Sequence, residues 1–423
     1  MVATDTTGAE LWRARLAAAR WFQGKGLPLG ELEVRPQPWY TTDGDVWVRS
    51  EVAIATVGDD TQTYHLLVGY LPVGAGEPAA RVGTLDLPGR GPVDVVDAPA
   101  SPRAMTALLR ALRTPGAVGM RWLGTPPDPA HPTQVFTGEQ SNTTVRCGDA
   151  ILFKIFRKLS PGPNLEAQVL SALTGSGITP RLVGTLTTPD GAYDLGLFAQ
   201  RIPDARDGWA YCVEACRDGR LVDDEMRRLG TTLGRLHIDL AEIFGTSTVD
   251  AQVIAQAMLD RLDAACASVH AGDDLCEPVR SSLHLTGDPV PVQRVHGDFH
   301  LGQALIRPGG WTIIDFEGEP LKTPAERVAS DSVWRDVAGL LRSLDYARHH
   351  HPDPDGAAAI AWHRAARAAF LDGYLDGAPC PRQLLTAYEI DKAVYELVYE
   401  TRNRPDWVAI PRQALLEATA HAG

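Results

Sequence analysis

The sequence predicts an α+β fold in which a small opening module, a strand-rich lobe and a helix-rich lobe follow one another along the chain. Before residue 200, apolar residues form short runs rich in Val, Tyr and Trp, separated by turn clusters, which indicates strands. From Trp209 onward they recur at helical spacing over long segments. We expect the three subdomains at residues 1–95, 96–200 and 201–423.

The opening module is predicted to contain one short helix followed by strands. Residues 10–26 have an amphipathic pattern that ends at Gly24 or Gly26, which is typical of a helix and its stop signal. The Gly- and Pro-rich stretch from Pro78 to Pro99 then predicts a joint, where we place the first boundary. The strands of the module are expected at residues 31–40, 46–58 and 63–73.

The strand-rich lobe is predicted to start with a helix at residues 102–114. A hairpin should follow, because Gly148-Asp149 lies between two apolar runs. A helix is then expected from Asn164 to Thr174, with further strands up to Phe198. The helix-rich lobe should contain helices at residues 224–244, 253–269, 335–350, 361–375 and 383–404.

Composition limits the possible functions. The 423 residues carry a formal net charge of −13, which disfavours nucleic-acid binding and favours a small cationic substrate. The N-terminus lacks an apolar signal-peptide core and no apolar run is long enough to span a bilayer, so we expect a cytoplasmic protein, and a monomer. The six cysteines form no CxxC pair, and we expect free thiols; Cys212 and Cys216 should be buried on one helix face.

The segment VHGDFHLGQALIRPGGWTIIDFEGE, residues 295–319, combines many polar groups with a short strand pair. Phosphoryl transfer needs clamped phosphates, a metal ion and an aimed acceptor hydroxyl. Asp298 would take or orient the acceptor hydroxyl, with His296 bracing the loop. Gln303 follows Asp298 by five residues, as in the kinase pattern HRDxxxxN, and Asp315 follows an apolar strand. Their oxygens suit Mg²⁺.

A zinc site is the rival interpretation of this segment. His296 and His300 are four residues apart, as metal ligands on a helix would be. Gly297 and Gly302 argue against a regular helix, and no third nitrogen or sulfur ligand is close in sequence. The zinc hypothesis is therefore disfavoured.

Lys154 is the candidate phosphate-binding lysine. It lies in AILFKIF, a strand so apolar that a buried ammonium there needs an anionic partner. Glu166, twelve positions later at the start of the next predicted helix, is that candidate. The alternative is an ordinary edge-strand lysine with its ammonium in water.

Two further segments are candidates for nucleotide binding. In the turn TGEQSNTT, Ser141, Asn142 and Thr143 with the backbone amides would cover the phosphates, although a plain polar hairpin turn has the same pattern. Gln200 and Ile202 are candidates for the adenine hinge by their order along the chain alone.

The motifs HGDFHLGQ and IDFEGEP together resemble the aminoglycoside phosphotransferase-like kinases, and more narrowly the actinobacterial maltokinase-like family. That resemblance implies a bilobal eukaryotic-protein-kinase-like fold with an added N-terminal cap and a mostly helical C-lobe. It also implies ATP, Mg²⁺ and a sugar acceptor. It extends over nearly the whole chain, through the strings RWFQGKG, EQSNT, DGW, RDVAGLLRSLDYA and DKAVYELVYETRNRPDW.

Departures from the maltokinase pattern bear on which sugar is used. The chain reads GPNLE where maltokinases usually have NPD before the helix glutamate, and DSVWRD where they tend to read DSPLRD. These changes favour the sister branch, which is similar to maltokinases but phosphorylates glucosamine. Carboxylates would bind its ammonium and an aromatic ring would stack on the sugar. The residues expected at the substrate are His300, Glu317, Asp345, Tyr395, Glu396, Glu400 and Trp407, with the two tyrosines equally compatible with a core role.

The sequence thus predicts an ATP-dependent kinase that makes glucosamine 6-phosphate. A maltokinase making maltose 1-phosphate is the alternative, and an aminoglycoside antibiotic phosphotransferase ranks below it. A pseudokinase or sugar sensor is disfavoured, because Lys154, Asp298, Gln303 and Asp315 are all present.

Overall fold

The computed structural model describes residues 6–136, 141–270, 272–319 and 322–420. The chain divides into two compact units. The first comprises Met1–Gly175 with Pro180–Pro203, and the second Ser176–Thr179 with Asp204–Gly423.

The first unit is built mainly from strands. Its elements are α1 (Thr6–Ala18), β1 (Leu29–Thr41), β2 (Trp47–Val57), β3 (Asp60–Pro72), β4 (Arg81–Leu87), β5 (Gly91–Asp97), α2 (Pro102–Leu112), β6 (Met120–Trp122), β7 (Thr133–Val135), β8 (Thr143–Cys147), β9 (Ile151–Ile155), β10 (Lys158–Leu159), α3 (Leu165–Ala172), β11 (Leu182–Thr187) and β12 (Asp194–Gln200).

The described part of this unit contains two antiparallel sheets. The first has the strand order β1-β2-β3-β5-β4, with β10 paired to β3. Trp12 and Leu16 of α1 are buried in its apolar core. The second has the order β6-β11-β12-β9-β8-β7, and Phe153 of β9 stacks on Phe198 of β12 with ring centroids 4.1 Å apart. The predicted hairpin around Gly148-Asp149 is confirmed by the pairing of β8 with β9.

The second unit is mainly helical, as predicted. Its elements are β13 (Arg206–Asp207), α4 (Gly208–Arg217), α5 (Asp223–Phe244), β14 (Thr246–Val249), α6 (Ala251–Val269), α7 (Asp273–Ser282), β15 (Val290–Gln293), β16 (Ala304–Arg307), β17 (Gly310–Ile313), α8 (Pro324–Val328), α9 (Trp334–Arg348), α10 (Ala357–Leu375), α11 (Arg382–Asn403) and α12 (Ala409–Ala420).

Close helix contacts organise this unit. Helices α5 and α10 meet at glycines, since a Cβ on Gly230 would lie 2.1 Å from the Phe370 carbonyl oxygen. Helix α9 is buried along nearly its whole length and packs against α11. Short antiparallel strands β13, β16 and β17 form a small sheet beside these helices. Each helix in the described residues is too short or too polar to cross a lipid bilayer.

Two predictions about the opening module were wrong. The first helix ends at Ala18, before either predicted glycine, because Trp21 and Phe22 turn onto Tyr64 of β3, with ring centroids 5.8 and 5.4 Å away. The stretch from Pro78 to Pro99 is also no open joint. It forms the hairpin of β4 and β5, whose glycines supply the turn between the two strands.

The prediction of six free thiols was wrong for one pair. Cys266 and Cys276 form a disulfide, with Cα atoms 6.5 Å apart. The turn between α6 and α7 brings these residues together although they lie ten positions apart in sequence. The other four cysteines are free, and Cys212 and Cys216 are buried on α4 as expected.

Candidate active site

The segment between β15 and β16 forms a tightly folded loop. Gly297 has φ +87°, a conformation that a side chain would strain. The His300 side chain then accepts a hydrogen bond at Nδ1 from the Gly302 amide, 3.1 Å away, and so caps a single 3₁₀ turn. Because burial lowers the pKa of the His300 imidazole, the ring is neutral and can act as this acceptor.

A buried carboxylate on α9 fixes the start of the loop. Asp336 accepts hydrogen bonds from the His296 amide at 2.7 Å and the Gly297 amide at 2.8 Å. His237 of α5 lies 3.0 Å away through Nε2. Burial alone would raise the pKa of Asp336, but His237 and the loop amides hold it below its usual value. His296 itself donates from Nε2 to the Ile314 carbonyl, which ties the loop to the chain before Asp315.

Asp298 lies in this loop and is held by a lysine from α11. Lys392 Nζ is 3.1 Å from Asp298 Oδ1 and 2.7 Å from Glu319 Oε1. The Lys392 side chain is 11% exposed, so these are well-shielded ion pairs. Burial would raise the pKa of Glu319, but Lys392 lowers it to about 2. Lys392 therefore keeps Glu319 ionised and lies between the two carboxylates.

Gln303 and Asp315 meet at the end of the loop. Gln303 Nε2 donates to Asp315 Oδ2 over 3.1 Å. Asp315 has φ +67°, an unusual conformation for a residue with a side chain. Rotating the Gln303 amide by half a turn presents its oxygen at the same point, since the two amide ends have nearly the same shape. The two residues thus offer hard oxygen ligands, a set that fits Mg²⁺.

In the first unit, Lys154 and Glu166 form the predicted ion pair. Lys154 Nζ lies 2.7 Å from Glu166 Oε2. Strand β9 lies between β12 and β8, so the edge-strand alternative for Lys154 is wrong. Asn164 caps α3 by accepting a hydrogen bond from the Ala167 amide, which fixes the helix start and places Glu166 in its first turn.

The predicted phosphate turn is only partly visible, because residues 137–140 lie outside the described residues. Ser141 is exposed. Asn142 and Thr143 are buried, and their side-chain oxygens accept hydrogen bonds from Arg157. Those two side-chain oxygens are therefore engaged with Arg157, and a contact of Asn142 or Thr143 with phosphates stays a prediction.

The predicted adenine hinge follows β12. The Gln200 amide donates to the Arg181 carbonyl over 2.9 Å, and the Arg201 amide donates to the Ala150 carbonyl over 2.8 Å. The backbone N–H of Gln200 is therefore already hydrogen-bonded. This leaves the backbone carbonyl of Gln200 as its candidate contact for adenine. The assignment of Gln200 and Ile202 stays a prediction.

Part of the predicted substrate set gathers between α9 and α11. Arg342 lies 2.7 Å from Asp345 and 2.9 Å from Glu396, through different nitrogens. Burial would raise the pKa of Asp345, but Arg342 lowers it to about 2. Both carboxylates thus already pair with an arginine, although burial still raises the pKa of Glu396. Their contribution to an acid-rich sugar pocket stays a prediction.

Glu400 and Trp407 lie beside the same cluster. Tyr346 donates to Glu400 Oε1 over 3.3 Å and stacks on the Trp407 ring with centroids 5.9 Å apart. Glu400 Oε2 is buried and has no hydrogen-bond partner among the described residues, although Arg404 Nε lies 3.8 Å away. Burial raises the pKa of Glu400. A cationic group of a ligand would therefore stabilise the Glu400 carboxylate more than it would stabilise a carboxylate that already has a cationic partner.

Tyr395 and Glu317 lie nearer to the Asp298 loop. The Lys392 ammonium sits over the Tyr395 ring, 4.6 Å from its centroid, and Tyr395 stacks on Tyr399. The Glu317 carbonyl accepts a long hydrogen bond of 3.5 Å from Arg327. Tyr395 thus has a local packing role, while a substrate contact for Glu317 stays a prediction.

Comparison with known proteins identifies the family. The profile of the phosphotransferase enzyme family (APH) matches residues 133–385, which is more than half of the chain. The chain belongs to this family. The profile of the maltokinase N-terminal cap domain also matches, at residues 16–100.

Individual proteins are also similar over most of the chain. A glucosamine kinase from Streptacidiphilus jiangxiensis is 32% identical over 70% of this chain and 78% of its own length. One from Mycolicibacterium smegmatis is 29% identical over 66% of this chain and 77% of its own. A glucosamine kinase solved with glucosamine, ADP and inorganic phosphate is 25% identical, with a TM-score of 0.68 over 97% of this chain and 98% of that one. The kinase-like α+β fold with an N-terminal cap is thereby confirmed.

Sequence reasoning missed three residues that organise this candidate site. Lys392, Asp336 and Arg342 all lie in strings that carry the family resemblance, yet no local spacing links them to their partners. Lys392 is 94 residues from Asp298, and Asp336 is 40 residues from His296. The sequence offered one signal for these residues. Each is a charged residue at a helix position expected to be buried, and a buried charge needs an oppositely charged partner.

Proposed function

We propose that this protein is an ATP-dependent glucosamine kinase that transfers the γ-phosphoryl group of ATP to the 6-hydroxyl of glucosamine, giving glucosamine 6-phosphate and ADP. The observation that carries the kinase chemistry is the loop that holds Asp298, Gln303 and Asp315 in one braced arrangement. The near full-length likeness to glucosamine kinases supports the choice of sugar.

Asp298 is the proposed catalytic residue. Its Oδ1 is held by Lys392, and its Oδ2 would accept a hydrogen bond from the sugar hydroxyl. As the sugar oxygen bonds to the γ-phosphorus, the bond from that phosphorus to the bridging oxygen of ADP breaks, and the hydroxyl proton passes to Asp298. Lys392 keeps the carboxylate oriented, so the aspartate needs little reorganisation during the step.

Gln303 and Asp315 are the residues that would hold Mg²⁺, which supplies charge neutralisation for the phosphates when bound. The positive φ of Asp315 directs its carboxylate to the same point as the Gln303 amide. Lys154, oriented by Glu166, would neutralise the α- and β-phosphates. The Ser141 side chain and the backbone amides of its turn, with the Gln200 carbonyl and the Ile202 backbone, complete the proposed nucleotide contacts.

Glu400 and Trp407 are the proposed contacts for the amino sugar. The buried Oε2 of Glu400 would bind the ammonium in a charge-assisted hydrogen bond, and Trp407 offers an aromatic face to the sugar ring. Glu317 and His300, on the loop side, would orient sugar hydroxyls. Asp345 and Glu396 would not contact the sugar directly. They would hold Arg342 in place, and Arg342 in turn packs against the Tyr346 ring.

Phosphorylation of maltose at O1 is the second candidate, since the maltokinase N-terminal cap profile matches residues 16–100. The same Asp298 loop would serve both reactions, and only the acceptor contacts would differ. Glu400 Oε2 favours the amino sugar, because maltose offers hydroxyls but no cation.

The test is an ADP-release assay with ATP and Mg²⁺ against glucosamine, maltose, glucose, N-acetylglucosamine and kanamycin. We expect strong turnover with glucosamine and little with the others. Turnover of maltose alone would replace the proposal with a maltokinase, and turnover of kanamycin alone with an antibiotic kinase. If none of the five compounds causes ADP release, the sugar assignment is refuted.

A further inference from the structure

Cys266 of α6 and Cys276 of α7 form a disulfide in a chain whose other four cysteines are free thiols. Small exported domains need disulfides because their hydrophobic cores are insufficient, whereas this chain has 423 residues and extensive buried cores. At the cytoplasmic location that the sequence predicts, a disulfide is usually transient and either catalytic or redox-sensing. Since neither cysteine lies in the Asp298 loop, a sensing role is the one to examine.

The disulfide closes a ring of four helices. It joins the last turn of α6 to the first turn of α7. Helix α6 packs mainly on α11, whereas α7 packs mainly on α12, which in turn packs on α11. Arg412 of α12 also lies 3.3 Å from Asp274 of α7, in an exposed ion pair. The two sides of the ring therefore depend on the disulfide for their covalent link.

Helix α6 also holds α11 through an ion pair beside the candidate active site. Arg261 Nε lies 2.8 Å from Asp391 Oδ1, and the Asp391 side chain is 4% exposed. The other carboxylate oxygen lies 3.4 Å from Arg335 of α9. The next residue on α11 is Lys392, which pairs with the loop carboxylate. Arg261 precedes Cys266 by little more than one helical turn, so a displacement at the end of α6 reaches this part of α11.

The two sulfurs differ in accessibility. Cys276 is 5% exposed, whereas Cys266 is half-buried. A thiolate of a dithiol reductant would therefore attack Cys266 Sγ, and the sulfur of Cys276 would leave. The second thiol of the reductant then resolves the mixed disulfide. The reductant becomes a disulfide, and its two electrons and two protons give two cysteine thiols. A small-molecule disulfide such as oxidised glutathione reverses the exchange.

We propose that the Cys266–Cys276 disulfide is a redox-sensitive switch that controls turnover by fixing α11. In the oxidised form, the closed ring holds Arg261 against Asp391, and Lys392 keeps its position. In the reduced form, the ends of α6 and α7 separate, and Lys392 orients its partner less firmly. The inference rests on the proposed function in that this partner, the Asp298 carboxylate, is taken as the catalytic base.

The test compares the wild-type protein before and after reduction with dithiothreitol, with thiols counted after denaturation. We expect the four free thiols before reduction and all six cysteines after it. Well below the melting temperature, kcat should fall about fivefold, while KM for ATP stays within about twofold, because Lys154 and Glu166 lie in the other unit. The melting temperature should fall by about 5 °C. Oxidised glutathione should restore kcat.

Hydrogen exchange measures the same coupling without catalysis. The amides of α11 around Lys392 should exchange about tenfold faster after reduction, because α11 loses support from α6. The amides of α3 in the other unit should keep their rates. Unchanged exchange in α11 would overturn the inference whether or not the protein turns over glucosamine.

Four variants locate the effect. Cys266→Ser and Cys276→Ser should each have the kcat of the reduced protein and no response to dithiothreitol. Arg261→Gln should lower kcat with the disulfide intact, because it interrupts the route to Asp391. Cys380→Ser, which removes a partly exposed free thiol, is the matched control and should keep both kcat and the response.

Three results would contradict the switch. A lower melting temperature with unchanged kcat would show that the disulfide only stabilises the fold. Six thiols in the untreated protein would show that the bond does not form, and loss of the response in Cys380→Ser would assign it to another thiol. Normal turnover of glucosamine by the untreated wild type would keep the proposed function intact in each case.

Discussion

Two buried charge clusters of the helical unit hold carboxylates in different ways. At the loop, the Lys392 ammonium is shared by Asp298 and Glu319. Between α9 and α11, the Arg342 guanidinium binds Asp345 and Glu396 through separate nitrogens. An ammonium is a compact point charge that attracts a carboxylate without fixing its direction, whereas a guanidinium holds its partners along the directions of its N–H bonds. The comparison indicates that the kind of cation paired with a buried carboxylate, more than the burial itself, distinguishes a catalytic carboxylate from a structural one.

The largest effect should come from removing the loop carboxylate. Asp298→Ala should lower kcat about 10⁴-fold, equivalent to about 5 kcal/mol of barrier, because the acceptor hydroxyl loses its base. The free energy of unfolding should change by less than about 1 kcal/mol, since Glu319 still pairs with Lys392. Steady-state kinetics and urea unfolding measure the two quantities. Asp372→Ala, which removes an exposed partner of Arg227, is the control, and near-normal turnover in Asp298→Ala would show that the assignment is wrong.

The helix cluster should show the opposite response. Arg342→Met should lower the free energy of unfolding by about 4 kcal/mol, because it leaves Glu396 buried without its guanidinium partner and leaves Asp345 with Arg348 alone. Urea denaturation checks this value. Arg227→Met breaks only the exposed pair with Asp372 and should cost less than about 1 kcal/mol. Equal losses in the two variants would show that the buried ion pairs of Arg342 stabilise the fold no more than an exposed pair does.

Acid should weaken the loop cluster in a defined window. The pKa of Glu319 falls from 4.5 in the unfolded chain to about 2 in the folded protein. A lowered folded-state pKa stabilises the fold above the unfolded value, so this contribution is complete above pH 4.5 and disappears as pH falls toward 2. It amounts to about 3 kcal/mol. The free energy of unfolding of Glu319→Gln should therefore fall less across this window than that of the wild type, while exposed Glu214→Gln should follow the wild type.

The smallest effect concerns the substrate amine. Glu400→Gln should raise KM for glucosamine about tenfold, because the ammonium loses a charged partner. KM for glucose, which lacks the amine and which we expect to be turned over weakly, should not change. Steady-state kinetics with both sugars separate the two cases. An equal rise in KM for glucose and glucosamine would contradict this. Glu400 would then have only a structural role, as the hydrogen-bond acceptor of Tyr346.

Short-range patterns were the ones that could be read from the sequence. Gly297, the five-residue spacing from Asp298 to Gln303 and the position of Asp315 after a strand are local features, and the structure has the loop they predict. The pairing of Lys154 with Glu166 was equally readable, because a lysine in an apolar strand needs a nearby anion.

Contacts between distant segments could not be read in this way. The hydrogen bonds of Asn142 and Thr143 with Arg157 could not be predicted from the local sequence. The ion pairs of Asp345 and Glu396 with Arg342 could not be predicted either. In each case the deciding partner is an arginine whose position depends on tertiary packing, and hydrophobic periodicity carries no information about it.

Asp336 has a consequence for how activity arises during folding. Its carboxylate gathers the His296 and Gly297 amides and the His237 ring, which belong to the loop and to α5. We expect the loop to take its final shape only when α5 and α9 have docked, since Asp336 is the acceptor of its first amides in the described part of the chain. Recovery of kinase activity in a refolding experiment should therefore track the docking of these two helices, and trail the return of helical circular dichroism.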